Sequence, residues 1–518
     1  MTTTSAAVSP FLHLLGTNYV ASHEEKVVIS ELLSAPLQNL AQLDSKIHKL
    51  ESVLDDLKRE RNDIQAYVSA HQALVSPVLP AEVLSKVFVF CLPDGRNPTR
   101  SLNEVPLLLG RICRFWREVS LSTPELWTAI HVVIPVNVNI DAKRLCSVID
   151  ARTRGVQAWL RRSGTLPLSI SVYSEKAKLL RRDYEQKWIS SRVARLLDCV
   201  VEVSSRWKDI ELCMDYLLME GWWAENDGGS KDFKPGNSVH LHSLSLQNMN
   251  YHYLEERFPI AQLTHLDLRK TSREGGLSIQ GGLSVLSKCK NLVSCKMYID
   301  NSYSGIHNRP SFSPPTHFRA WEKIISCSQL RLLHIESEGG GADAVFGFFF
   351  QHLEIPVLRS LGCEVAAYRG ERAPFLSLLT PDNQVEELKI NLPRLPVEAL
   401  VECLSFTPNL VAARIIGAEN ALFNQREASS GAGLPSYCPF LKKLVVEAVD
   451  ASLDDEHLLA FARSRRNAGT LEVLHATVRS LKGEASEEQI KDLRETGMDI
   501  RIIYPAEDWD SPSSGVCE

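Results

Sequence analysis

Residues whose type and spacing could support chemistry are few in this 518-residue chain, and each has a plainer explanation. His240 and His242 alternate, so on a predicted strand both imidazoles would share one face as metal ligands do; such a pair is ordinarily a solvated face. The glycine run 339–341 could line a phosphate cradle but lacks the lysine and Ser/Thr that one needs, and neither G-x-x-x-x-G-K-[ST] nor G-x-G-x-x-G occurs. Asp454 and Asp455 form a carboxylate pair better explained as first-turn charges at a helix N-terminus. Arg463, Arg465 and Arg466 could suggest nuclear targeting, but basic residues in a last helical turn follow from the helix dipole alone. Trp207, in SSRWKDIEL, reads as the start of an early repeat, whereas Trp222 and Trp223 beside Gly221 could be an exposed patch or a packed turn. With no G-x-S-x-G elbow, H-E-x-x-H pair or paired C-x-x-C set, no catalytic residue, metal or cofactor is expected.

Composition narrows the partners. The net charge of −6 lacks the basic excess that phosphate-backbone binding requires, so nucleic acid is not an expected partner. Hydrophobic residues at 44% and charged residues at 23% are those of a folded globular chain. No apolar run reaches the roughly 18 residues of a membrane span, and the first 20 residues have neither a basic leader nor a long apolar segment. No membrane association is expected, and the cytoplasm and/or nucleus is the expected location. The twelve cysteines carry no metal or disulfide spacing and read as reduced, buried, small apolar residues.

The elements that would position any site start with a flexible arm, expected over 1–36 because no apolar period is sustained there. Over 37–75 the residues Leu40, Leu43, Ile47, Leu50, Leu54, Leu57, Ile64 and Val68 place one apolar seam on a coiled-coil-like helix, with Arg61 interrupting it. A homodimer through residues 40–68 is one reading and packing within the chain the other. Next, Pro80 opens a short amphipathic helix with Val83, Leu84, Val87 and Phe88 on one face. Leu108, Ile112, Trp116 and Val119 then recur at helical spacing, and 130–134 reads as a strand.

Beyond that point one unit recurs, apolar-x-x-apolar-x-apolar. It is LHSLSL at 241, LTHLDL at 263, LVSCKM at 292, LRLLHI at 330 and LRSLGC at 358, then VEELKI at 385, LVAARI at 410, LKKLVV at 441 and LEVLHA at 471. Each copy is too short to bury its own apolar face, whereas stacked neighbours share a continuous core. The expectation is an α/β chain whose residues 132–505 form an irregular leucine-rich-repeat solenoid with a curved parallel sheet, followed by a flexible tail over 506–518. The alternative is an ordinary α/β domain with uneven connections, since four copies put Cys or Ala at a Leu position. Helices are expected over 396–406, after Ser452 and Asp455, and between Ser486 and Gly497, with a last strand in DIRIIY; the irregular stretch 142–234 is open to one or two more units or to a helical insertion.

The stretch VLPAEVLSKVFVFCLP…PLLLGRICRFWREVSLSTPELWTAI resembles the F-box-like domain in the form found in proteins of mushroom-forming fungi. Leu79, Pro80, Glu82, Val83, Leu84, Val87 and Phe88 match its opening L-P-x-E-I-L-x-x-I-F. Cys113, Trp116 and Arg117 match V-C-x-x-W-R, and Leu126 and Trp127 match P-x-L-W. The heptad segment before it resembles the helix that commonly precedes the domain in those proteins, and RSGTLPLSISV resembles their first strand after the F-box, while the loop 94–104 is longer than in the compact F-box. The match covers 77–131, and a small helical domain is expected over 76–131. The resemblance implies a non-catalytic, substrate-recognition subunit of a cullin-RING (SCF-type) ubiquitin ligase, docked on a Skp-family adaptor and through it on cullin. The adaptor-binding residues it implies are Leu79, Pro80, Val83, Leu84, Val87, Phe88 and Trp116. The same side chains could also build that subdomain's own core.

An unknown protein substrate would meet the residues that alternate with the core leucines: Asp267, Arg269, Lys296, Tyr298, His334, Glu336, Lys389, Arg414, Glu447 and His475. A merely solvated surface is the plainer fate of most of them singly. The competing functional reading is a non-catalytic scaffold or sensor that binds protein but joins no ligase.

Overall fold

The structure, a computed structural model, describes residues 10–11, 14, 16, 18–75, 79–135, 141–174, 183–214, 238–247, 254, 258–269, 277–299, 324–338, 343–380, 382–423, 438–449, 453–467, 469–479 and 486–504. Trp222, Trp223, the glycine run 339–341, Ser452 and the tail 506–518 lie outside them. The chain forms two compact units, Met1–Val83 and Leu84–Glu518.

In the first unit, α1 spans His23–Val75, so the arm expected over 1–36 is instead helical from residue 23. A capping box starts it: Glu25 N–H donates to Ser22 Oγ at 3.3 Å, and Ser22 N–H donates to Glu25 Oε2 at 2.7 Å. Glu24 and Glu25 in the first turn add favourable charge. Pro36 lies inside the helix, removing one amide donor while the ladder continues on either side. The S-x-x-E signal was legible; the missing apolar period over 23–36 hid it. All eight apolar residues of the 40–68 seam are exposed.

The short helix α2 spans Ala81–Phe90, directly after Pro80, whose carbonyl accepts from Val83 N–H at 3.0 Å. The second unit continues through a 3-10 turn at Leu109–Arg111, helix α3 at Arg114–Leu121 and a 3-10 turn at Pro124–Trp127. The helical spacing read through Leu108 and Ile112 is corrected here: Cys113 is extended (φ −154°, ψ 172°) and caps α3, its Sγ accepting from Trp116 N–H at 3.4 Å. Ile112 is accordingly exposed. Trp127 is fully buried, donates from Nε1 to the Ser120 carbonyl at 2.8 Å, and meets Trp159 edge-on with ring centroids 4.8 Å apart.

Among the described residues thirteen strands form one parallel sheet in chain order. They are β1 Ala129–Ile134, β2 Leu168–Ser174, β3 Trp207–Cys213, β4 Ser243–Gln247, β5 His265–Arg269, β6 Ser294–Tyr298 and β8 Leu332–Ser337, then β10 Ser360–Val365, β11 Glu387–Asn391, β12 Ala412–Ile416, β13 Lys443–Glu447, β14 Val473–Thr477 and β15 Asp499–Ile503. The two-residue strands β7 Ile325–Ser326 and β9 Leu353–Glu354 pair separately. The sheet is open, so this unit is α/β without a closed barrel. Helices fill the connections: α4 Ala142–Arg162, α5 Asp183–Val201, α6 Ile279–Lys288, α7 Asp343–Gln351, α8 Val397–Ser405, α9 Asp455–Asn467 and α10 Ser486–Glu495.

Each of the nine sequence copies supplies one strand, and all three of its apolar positions are buried, including Cys295, Cys363, Ala413 and Ala476 where leucine is replaced. The small residues therefore occupy the leucine sites. A backbone ladder links each of the nine copies to the next: the residue before the strand of one copy offers one carbonyl to two successive amides of the following copy, as Arg331 O accepts from Arg359 N–H at 2.8 Å and Ser360 N–H at 2.9 Å. Residues 142–174 and 183–214 extend the same alternation, with Leu168, Ile170 and Val172 of β2 and Trp207, Ile210 and Leu212 of β3 buried. The small domain expected to end at 131 does not close there, because 131 is inside β1 and Ile130, Val132 and Ile134 join the sheet's core. The longer loop 94–104 lies along β1: Thr99 bridges His131, and His131 N–H donates to Pro98 O at 2.8 Å, covering an edge otherwise open to pairing.

One expected helix start differs, that of α9. Asp454 caps α9, its Oδ1 accepting from His457 N–H at 3.0 Å. Asp455 is buried rather than a solvated first-turn charge, its Oδ2 accepting from Ser486 Oγ at 2.6 Å and Tyr504 OH at 2.8 Å. Gly497 closes α10 with φ 86°, a left-handed turn that suits glycine.

Candidate partner-binding surfaces

Helix α2 has two apolar faces. Leu84 and Phe88, four apart, are 4% and 1% exposed, and Phe88 lies with its ring centroid 4.8 Å from that of Trp116, which is half-buried. Both side chains thus belong to the core, so of the residues implied as adaptor anchors Leu84 and Phe88 are corrected to packing positions. Val83, Val87 and Phe90 remain 45%, 43% and 88% exposed, and Leu79 with Pro80 just ahead of the helix are exposed as well. Phe90 was missed in the sequence because it falls outside the matched pattern, although its place two residues after a buried Phe88 marks it as outward.

On the sheet, strand register lines the outward residues into rows. The central row runs His131, Ser171, Glu211, Ser245, Asp267, Lys296, His334, Gly362, Lys389, Arg414, Val445, His475 and Arg501. Its charge changes from acidic at Glu211 and Asp267 to basic at Lys389, Arg414 and Arg501. A groove of about 330 Å³ over β3 to β6 is lined by Asp209, Glu211, Ser245, Asp267, Arg269 and Lys296, among others.

Eight of the ten residues expected on this face are at least partly exposed on it, and several are paired. Arg269 Nε donates to Asp267 Oδ1 at 2.8 Å, and that hydrogen bond holds the guanidinium's pKa above its ordinary value. Arg414 donates to Glu447 Oε1 at 2.7 Å, and His475 Nε2 lies 3.1 Å from Asp499 Oδ2. Lys389 is exposed and Lys296 half-buried. Tyr298 and His334 are corrected: both are buried, at 4% and 9% exposure. Tyr298 OH accepts from Glu338 N–H at 3.1 Å. The His334 ring lies across Gly362, with Nε2 at 3.1 Å from Glu336 Oε1 and 3.4 Å from Glu364 Oε1. The hydrogen bond from His334 holds the Glu336 carboxyl below the usual range.

His240 and His242 precede β4 instead of lying on it, and both are exposed. Among the described residues no group of three or more His, Cys, Asp or Glu side chains could hold a metal ion, and no helix is long and apolar enough to cross a membrane. No protein-family model matches the chain, and no curated protein matches its sequence.

Proposed function

We propose that this chain is the substrate-recognition subunit of a cullin-RING ubiquitin ligase, acting without catalysis in the cytoplasm and/or nucleus. Its F-box-like segment docks on a Skp-family adaptor. Its strands, read as an irregular leucine-rich-repeat solenoid with a curved parallel sheet, hold a protein substrate. The observation that carries this reading is the second apolar face of α2: Val83, Val87 and Phe90 stay exposed after Leu84 and Phe88 have been spent on the core. A short helix with an uncovered apolar row suits insertion into a partner's groove. One strand per sequence copy supports the solenoid, and the acidic-to-basic central row suits a protein of complementary charge pattern.

The test is co-purification from a host extract, comparing the intact chain with a Leu79→Ala, Pro80→Ala double variant. Adaptor and cullin are expected with the intact chain and lost with the variant. A folded intact chain that brings down neither would leave a protein-binding scaffold outside any ligase.

A further inference from the structure

Helix α1 carries its apolar seam exposed, and the charges beside the seam specify what would cover it. We infer that a second copy of this chain packs along α1 in antiparallel orientation, aligned so that Leu50 of each copy meets Leu54 of the other. The seam repeats at spacings of three and four through Leu40, Leu43, Ile47, Leu50, Leu54, Leu57 and Ile64, with Arg61 at one seam position. One flank carries Asp44, Glu51 and Lys58; the other carries Lys46, Val53 and Glu60. All these side chains are exposed.

A parallel pair sets each seam residue against itself, so the two Arg61 guanidiniums face each other inside the seam, where like charges are costly. Its flanks meet at an offset of five residues. That gives one favourable charged combination, Lys46 with Glu51, while Val53 meets Lys58 and Glu60 meets Gln65 without opposite charge. An antiparallel pair aligned on Leu50 and Leu54 places each Arg61 against Leu43 of the other copy. Like flanks then meet, Lys46 against Glu60 and Asp44 against Lys58, each occurring twice by symmetry, with Glu51 against Glu51 the single like-charge contact. Sliding one way by a heptad puts Asp44 against Glu51, and sliding the other way keeps only Glu51 with Lys58. The antiparallel alignment therefore satisfies the most charges and separates the arginines.

Sedimentation of the full chain tests this with charge reversals at exposed positions. The intact chain is expected to dimerise, and Lys46→Glu to weaken the dimer about tenfold by turning two attractive contacts repulsive. Adding Glu60→Lys should restore it to within about twofold, whereas adding Glu51→Lys should not. Rescue by Glu51→Lys in place of Glu60→Lys would establish the parallel pair and overturn the proposal. So would a monomer, a larger oligomer, or a Lys46→Glu dimer as tight as the intact one.

Discussion

The rings of Phe88 and Trp116 pack with centroids 4.8 Å apart and planes at 56°, pinning α2 to α3. This contact decides which face of α2 turns inward and which is left for a partner. Phe88→Ala is therefore expected to destabilise the chain by about 3–5 kcal/mol, and Val87→Ala by no more than about 0.5 kcal/mol. Urea unfolding measures both. Equal losses would mean the faces are assigned wrongly.

Gly362 leaves room for His334. A Cβ at position 362 would fall 1.9 Å from His334 Nδ1, so Gly362→Ala must expel the imidazole from its place beside Glu336 and Glu364. The expected cost is about 1–3 kcal/mol. His334→Ala in the same chain should recover part of it, because the obstruction is then gone; strictly additive losses in thermal unfolding would contradict the contact.

The Glu336 carboxyl titrates below its ordinary range because His334 hydrogen-bonds it, with Arg269 and Lys296 adding positive charge. A carboxyl whose folded pKa is depressed contributes stability above its unfolded pKa and loses it as pH falls through the folded value. Between about pH 5 and pH 3 the melting temperature of the intact chain should drop more steeply than that of Glu336→Gln. Parallel curves would show that the carboxyl contributes nothing to folding.

Burial pushes the Cys403 thiol up to about 12 and the Cys438 thiol up to about 11, and raises those of Cys295 and Cys363 as well. Only thiolates react readily. Iodoacetamide at pH 8 should modify exposed Cys91 in the native chain and these four only after denaturation, as read by peptide mass spectrometry. Native labelling of Cys363 would place it outside the core.

The strands were legible because every copy repeats one spacing and the period-two alternation fixes which side chains are buried; even Cys363 and Ala413 hold leucine sites. Strand β2 lies in the RSGTLPLSISV stretch and β3 starts at Trp207, where an early repeat is read; neither joins the leucine series because Ile170, Val172 and Trp207 replace leucines and long helices separate the strands. Periodicity assigns a face but not the packing on it. Leu84 and Val87 therefore looked equivalent in sequence, and Tyr298 and His334, in outward register, are buried all the same, Tyr298 bonded to Glu338 N–H and the His334 ring laid across Gly362 beside Glu336 and Glu364. Asp455 looked like a surface charge until Ser486 and Tyr504, distant in sequence, closed over it.

The most direct test of the adaptor-docking account is calorimetric titration of the purified full chain with a purified Skp-family adaptor, beside Val87→Asp and, on the sheet face, Lys389→Glu. Saturable binding is expected for the intact chain and for Lys389→Glu, with affinity reduced at least about tenfold by Val87→Asp. Absence of binding by the folded intact chain, or undiminished binding by Val87→Asp, would contradict it.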